Sequence, residues 1–196
     1  MLIETEILIA WGGVSKKYKK NEIIFLEGDM PRFYYQVLTG RIKMFNNCDT
    51  KEFIQGFFVD GESFGEPPLF NNEVYAATAI ALVSTVIIRI SKERFRKLLV
   101  EYPKLQTKFL ELFASRLYEK SLAAKELVNN SPEVRIKSFL DNYKKKSGNN
   151  NGKLLVDLTR QEIANFTGLC VETVIRTLSK MKTQNKVSII DKKLYY

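Results

Sequence analysis

The chain has no histidine, one tryptophan and two cysteines among its 196 residues. Each scarcity removes a class of chemistry. Without histidine there is no Ser-His or Cys-His nucleophile pair and no His-ligated haem. Cys48 and Cys170 form no CxxC pair, so a structural zinc site or a four-cysteine iron–sulfur cluster lacks its ligands. Neither a P-loop nor a GxGxxG fingerprint is present. Long apolar runs are missing too. The longest, from Ala76 to Ile90, is interrupted by Thr78, Ser84, Thr85 and Arg89, which makes it too short and too polar for a transmembrane helix. The opening "MLIETEILIAWGG" carries acids where a secretory signal carries basic residues. These absences lead to the expectation of a cytoplasmic protein that is not an enzyme and holds no cofactor or metal.

What is present is the 45% hydrophobic content of an ordinary globular protein and a net charge of +9. That charge is unevenly placed. Residues 1–128 hold 18 basic against 16 acidic side chains, whereas residues 129–196 hold 13 against 6. A basic last third is attracted to polyanions, because neutralised phosphates release counterions. A solvated lysine-rich surface has the same composition, so charge alone leaves both readings open.

From Ile23 to Ile90, short β-branched and aromatic segments recur between turn signals: "NEIIFLEGD", "RFYYQVLTGRIKMF", "EFIQGFFVDGESFGE" and "YAATAIALVSTVIIRIS". That spacing predicts a sandwich or barrel-like β domain. After Ser91 the period changes. "SKERFRKLLVEYP" has an N-cap serine, Glu93 in its first turn and a stop at Pro103. A long helix is expected from Pro103 to about Val128, with an apolar stripe through Leu105, Phe109, Leu112, Phe113, Leu117 and Ala124, and Leu127 and Val128 at its end. At 1.5 Å per residue it is roughly 40 Å long. One small β domain cannot cover such a stripe, so a partner helix in a dimer is expected along Phe109, Phe113, Leu117 and Ala124. "NNSP" at 129–132 reads as a hinge before the next helix, and "KSGNNNG" at 146–152 as a polar loop before a short strand.

The stretch "LTRQEIANFTGLCVETVIRTLSKM", residues 158–181, is the most informative. Thr159 and Glu162 have the spacing of a capping box. Ile163 and Phe166 point inward from a first short helix, Gly168 sits in a turn, and Val174, Leu178 and Met181 form the buried face of a second helix. Two short helices around a glycine turn make a helix-turn-helix. The other face of the second helix carries Val171, Glu172, Ile175, Arg176 and Ser179. Recognition helices contact base edges with such N-terminal residues: glutamate accepts from cytosine N4, and arginine binds guanine O6 and N7. Glu172 and Arg176 at i and i+4 also describe an ordinary exposed salt bridge worth a few tenths of a kcal/mol. The basic setting, the turn and the capping box favour base reading. "KVSIIDKKLYY" alternates and reverses at Asp191–Lys193, as a hairpin wing would, with Lys192 and Lys193 placed to lie along a phosphate backbone.

These residues resemble the cyclic AMP receptor protein and fumarate–nitrate reductase regulator (Crp/Fnr) family. "LTRQEIANFTGLCVETVIRTLSKM" looks like that family's winged helix, "GESFGEPPLF" is similar to its phosphate-binding cassette, and "GRIKMF" to the strand before it. The resemblance covers essentially the whole chain and implies an α+β fold: a cyclic-nucleotide-binding-like β-roll over 1–102, a dimerisation helix over 103–128 and a winged helix-turn-helix over 129–196. It also implies a homodimeric transcription regulator, with a near-palindromic double-stranded DNA site and RNA polymerase as partners. Carried over by position, Glu172 and Arg176 read bases and Thr173 contacts a phosphate; Val171 is expected beside the base-reading pair, and Arg160, Ser179, Lys192 and Lys193 are the further expected phosphate contacts. "VETVIR" is nearer the fumarate–nitrate branch, except that Ile175 replaces a serine.

In the cassette the resemblance places an effector pocket at Gly65, Glu66, Tyr75 and Ala76. Glu66 matches the family glutamate that holds a ribose hydroxyl. Tyr75 and Ala76 stand where cyclic AMP binders have an Arg-Ser pair for the cyclic phosphate, and a phosphate buried without its cation is costly. The expectation is a regulator that does not bind cyclic AMP and whose effector, if there is one, is another small molecule. The alternatives are a cyclic-nucleotide-responsive regulator and an adaptor whose winged helix makes protein contacts.

Overall fold

The structure is a computed structural model and describes residues 1–48, 51–129, 131–146 and 152–196. It divides into two compact units, Met1–Arg116 and Leu117–Tyr196. Among the described residues, no helix is long and apolar enough to cross a membrane.

The first unit begins with helix α1 (Thr5–Ala10), followed by strands β1 (Val14–Tyr18), β2 (Ile23–Phe25), β3 (Phe33–Thr39), β4 (Arg41–Cys48), β5 (Lys51–Val59) and β6 (Ser63–Phe64). Helix α2 (Pro67–Asn71), strands β7 (Thr78–Ala81) and β8 (Thr85–Ser91), helix α3 (Lys92–Glu101) and the start of α4 (Pro103–Asn129) complete it. The strands form two four-stranded antiparallel sheets, ordered β1-β8-β3-β6 and β2-β7-β4-β5. α1 and β1 precede the region in which strands were expected. β1 buries only Tyr18 and carries lysines at 16 and 17, as exposed edge strands often do, so it shows no apolar alternation.

Alternation along β3 serves two cores. Tyr34 joins Ile88, Ile90, Phe95, Leu98, Leu105 and Phe109 on the helical side. Tyr35 and Val37 join Phe25, Ile42, Phe64, Tyr75 and Ile87 in the other cluster. Gln36, fully buried, fastens the N-terminal segment: its amide donates to the Ile3 carbonyl at 2.9 Å, and its Oε1 accepts from the Ile3 N–H at 3.2 Å and the Tyr34 hydroxyl at 2.7 Å. Ser91 caps α3 as its sequence predicts, accepting from the Arg94 N–H.

α4 corrects one expectation. Phe109 is only 2% exposed and lies among Tyr34, Phe70 and Phe95. Phe113 is half-buried edge-on to Phe70. Phe109 therefore belongs to the core of its own unit and not to an interface, and Phe113 is largely engaged there as well. Phe70 and Phe95, distant in sequence, supply the cover that the apolar stripe requires. Leu110 and Leu117, seven residues apart on another face of the helix, are 69% and 68% exposed, with Tyr118 at 67%. Ala124 is exposed too, while the side chains of Leu127 and Val128 fall outside those described.

The second unit holds the rest of α4, then α5 (Pro132–Lys146), β9 (Leu155–Val156), α6 (Arg160–Thr167), α7 (Val171–Thr183), β10 (Ser188–Ile190) and β11 (Lys193–Tyr195). Its three-stranded sheet is ordered β10-β11-β9. Ile136, Leu140, Ile163, Val174, Leu178, Met181 and Leu194 are buried in it. The expected hinge includes residue 130 and the expected polar loop includes 147–151, which lie outside the described residues. The wing reverses at Asp191–Lys192, with φ of 48° and 63°, and Ile190 pairs with Lys193. Positive φ at both central residues suits the twist of a two-residue hairpin. Lys193 thus lies in the strand, one residue beyond the turn.

Candidate nucleic-acid interface and the β-roll interior

Local chemistry sets the helix-turn-helix. The Thr159 hydroxyl accepts from the Glu162 N–H at 3.1 Å, and Glu162 Oε2 accepts from the Thr159 N–H at 2.7 Å, which completes the capping box. Gly168 ends α6 in the left-handed region at φ 64°, where a side chain would be strained. Ala164, 1% exposed, is small enough for close helix contact. Val174, Thr177, Leu178 and Met181 form the buried face of α7.

The opposite face carries the expected reading residues. Glu172, Ile175, Arg176 and Ser179 are exposed, and Val171 and Thr173 partly so. Among the described residues neither Glu172 nor Arg176 has a salt-bridge partner, so the exposed i,i+4 pair does not form. Cys170, an exposed free thiol, precedes α7 and makes no side-chain cap. Uncapped N–H groups at the start of a helix are positioned to meet an anion.

The expected phosphate contacts divide. Lys192 and Lys193 are exposed on the wing. Arg160 is half-buried, which pushes its pKa down, and its guanidinium donates to the Lys192 carbonyl at 3.4 Å. It ties the wing turn to the first turn of α6. Sequence reasoning did not single out Glu133 on α5, which receives both Lys186, at 2.5 Å, and Lys180, at 3.2 Å. These two ammonium groups hold its carboxyl below the usual carboxylate range. Lys180 is thereby engaged within the unit.

In the first unit, Gly65, Glu66 and Tyr75 do come together, whereas Ala76 is exposed. The space they would line is occupied. Tyr75 stacks on Phe25 with ring centroids 3.7 Å apart, and Phe25 also lies against Tyr35 and Phe64. A Cβ on Gly65 would approach the Phe25 ring to 2.9 Å, so glycine permits this packing. Burial drives the hydroxyl pKa of Tyr75 well up and that of Tyr35 to about 12. The Glu66 carboxylate is completely buried and has partners already. Ser63 donates to it, and Arg116 of α4 reaches its two oxygens at 3.0 and 3.2 Å while donating to the Ser63 carbonyl at 2.8 Å. The expected ribose ligand is therefore neutralised by an internal guanidinium. Arg116 was not foreseen, yet it lies seven residues after Phe109 on the buried side of α4, and a charge there signals a buried partner.

A two-sheet β-roll joined through a long helix to a capped helix-turn-helix with a wing is the architecture of a winged-helix regulator with a sensor-type domain. Comparison with known proteins agrees. The signature described as the cyclic nucleotide-binding domain matches residues 15–102, and that of bacterial regulatory proteins of the crp family matches residues 156–185. The transcriptional activator protein Anr of Pseudomonas aeruginosa is 28% identical over 181 residues, spanning 90% of this chain and 74% of Anr. FnrA of Stutzerimonas stutzeri, also called a transcriptional activator, is 29% identical over 168 residues, or 84% and 68% of the two chains. The structure of CLP, the c-di-GMP-responsive global regulator of Xanthomonas campestris, superposes with a TM-score of 0.81 at 22% identity, covering 96% of this chain and 95% of CLP. In both matched regions, and along most of its length, the chain is similar to transcription regulators of the Crp/Fnr family.

Proposed function

We propose that this protein acts as a homodimer that reads a near-palindromic DNA site through α7 and does so without cyclic AMP. The observation that carries the reading is the pair Glu172 and Arg176, exposed on the first turns of α7 and without an ion-pair partner among the described residues. Groups so placed keep their hydrogen-bonding capacity for base edges, with Arg176 suited to guanine and Glu172 to a cytosine on the complementary strand. Val171 adds an apolar contact. Thr173, Ser179 and the uncapped start of α7 suit flanking phosphates, and Lys192 and Lys193 the backbone beside the wing. Arg160 acts there chiefly by holding the wing turn. The exposed face of α4 that contains Leu110, Leu117 and Ala124 supports a dimer, and two-fold dimers of helix-turn-helix proteins read half-sites about one helical turn of DNA apart. RNA polymerase is the onward partner and the cytoplasm the compartment. The filled β-roll and the Glu66–Arg116 pair support independence from cyclic AMP.

Binding-site selection followed by salt titration tests this. Arg176→Ala costs about 1–3 kcal/mol per half-site and relaxes preference at one base pair. Lys193→Ala weakens binding to all sequences and lowers the salt slope by about one unit. If Arg176→Ala lowered affinity equally for selected and random DNA, α7 would be a phosphate clamp and the reading would fail.

A further inference from the structure

The inner face of the β1-β8-β3 sheet continues past its aromatic core to a polar end. Cross-strand pairing sets Val14 opposite Arg89, Arg89 opposite Tyr35, and Ser91 opposite Phe33, so these side chains share one face. A concavity of about 340 Å³ opens there, lined by Gly12, Val14, Phe33, Arg89, Ser91 and Arg94. That is close to the lower end of the range small ligands occupy.

Both cations in this concavity are held by neutral groups. The Arg89 guanidinium lies over the Phe33 ring, 4.4 Å from its centroid, and Arg89 sits opposite Tyr35 across the strands. Arg94, in the first turn of α3, donates to the Gly12 carbonyl at 3.5 Å. Gly12 has φ 82°, and a Cβ there would fall on the Arg94 guanidinium, so glycine allows the close approach. Among the described residues neither arginine pairs with a carboxylate, and no acid lines the concavity. A guanidinium offers five donors, and these contacts leave most of them unused. The neighbouring run from Trp11 to Asn21 holds four lysines and no acid, which adds to the positive potential.

We infer that this concavity is a binding site for a compact phosphate group, carried as a phosphomonoester or as the free ion, and that it is distinct from the filled cassette around Glu66. Two guanidiniums from a strand and a helix converge on one anion, and planar guanidinium forks match phosphate oxygens. Val14 and the edge of Phe33 provide apolar surface for an attached organic group. The concave form favours a small ligand over an extended protein surface. The inference does not depend on how α7 reads DNA.

The single tryptophan, Trp11, adjoins Gly12 and provides the readout. The full-length protein is titrated with inorganic phosphate and with phenyl phosphate against chloride at constant ionic strength, and tryptophan fluorescence is followed. A saturable change is expected with at least one of the two. Tighter binding of phenyl phosphate assigns the ester, and tighter binding of inorganic phosphate assigns the free ion. Arg94→Gln should weaken either by about tenfold or more, since a hydrogen bond to a charged group is lost. Arg94→Lys, which keeps the charge but not the fork, should weaken it less. Arg176→Ala, in the other unit, should leave it unchanged, which separates this site from phosphate held by the winged helix. Absence of a saturable response to both anions, or a response equal in wild type and Arg94→Gln, overturns the proposal. So does binding of an acidic peptide in preference to both phosphates.

Discussion

Arg116 Nη1 stands 3.0 Å from Glu66 Oε2, an ion pair that closes across fifty residues between α4 and the segment after β6. The carboxylate is wholly buried and the arginine about one-quarter exposed. Such pairs add little net stability compared with apolar replacements, but breaking one strands a charge. Arg116→Ala is therefore expected to cost about 3–5 kcal/mol, read as a lower urea midpoint for the first unit. Glu66→Gln combined with Arg116→Met should recover much of that loss. Equal midpoints for wild type and Arg116→Ala would show that the pair is not formed in solution.

Cyclic AMP should produce no heat in calorimetry and no rise in melting temperature, because Phe25 and Tyr75 already fill the interior and Glu66 is paired. Phe25→Ala should cost about 3–5 kcal/mol through the void it leaves. Micromolar binding of cyclic AMP to the wild-type chain would overturn the filled-pocket reading.

Two substitutions on α4 should separate core from interface. Phe109→Glu places a charge in a 2% exposed position and should unfold the first unit. Leu117→Glu, at a 68% exposed position, should leave the fold intact and yield monomers in sedimentation equilibrium. A dimer that persists in Leu117→Glu at unchanged affinity would rule out this face.

Alkaline pH should loosen the first unit. Burial raises the hydroxyls of Tyr34 and Tyr75, and that of Tyr35 to about 12, from an ordinary value near 10. A raised phenol pKa means that the folded state favours the protonated form. The resulting stability is complete below the unfolded value and is lost as pH climbs from about 10 towards the folded value. Spectrophotometric titration of the nine tyrosines should therefore show a late group that ionises together with loss of folded signal. Simple titration of all nine near pH 10 would contradict this.

The winged helix was readable because its determinants are local. Thr159 and Glu162 are three residues apart, Gly168 sits at the turn that requires positive φ, and Val174, Leu178 and Met181 repeat with the helical period. Hydrogen bonds and periodicities that close within a turn are written in consecutive residues, so α5, α6, α7 and the wing could be placed before any tertiary contact was known. The start and end of α4 were legible for the same reason, from Pro103 and the polar run that follows the helix.

Tertiary structure decided what those elements touch. The stripe on α4 reads as one continuous surface, but Phe70 and Phe95 cover Phe109 and leave Leu117 in the open. Tyr75 reads as the loss of a phosphate ligand, and only its stack on Phe25 shows that the space itself is taken. Arg89 and Arg94 are unremarkable in sequence until β1 and β3 bring Val14 and Phe33 beside them. Contacts between residues far apart depend on sheet order and register, which a linear pattern of apolar and polar residues leaves open.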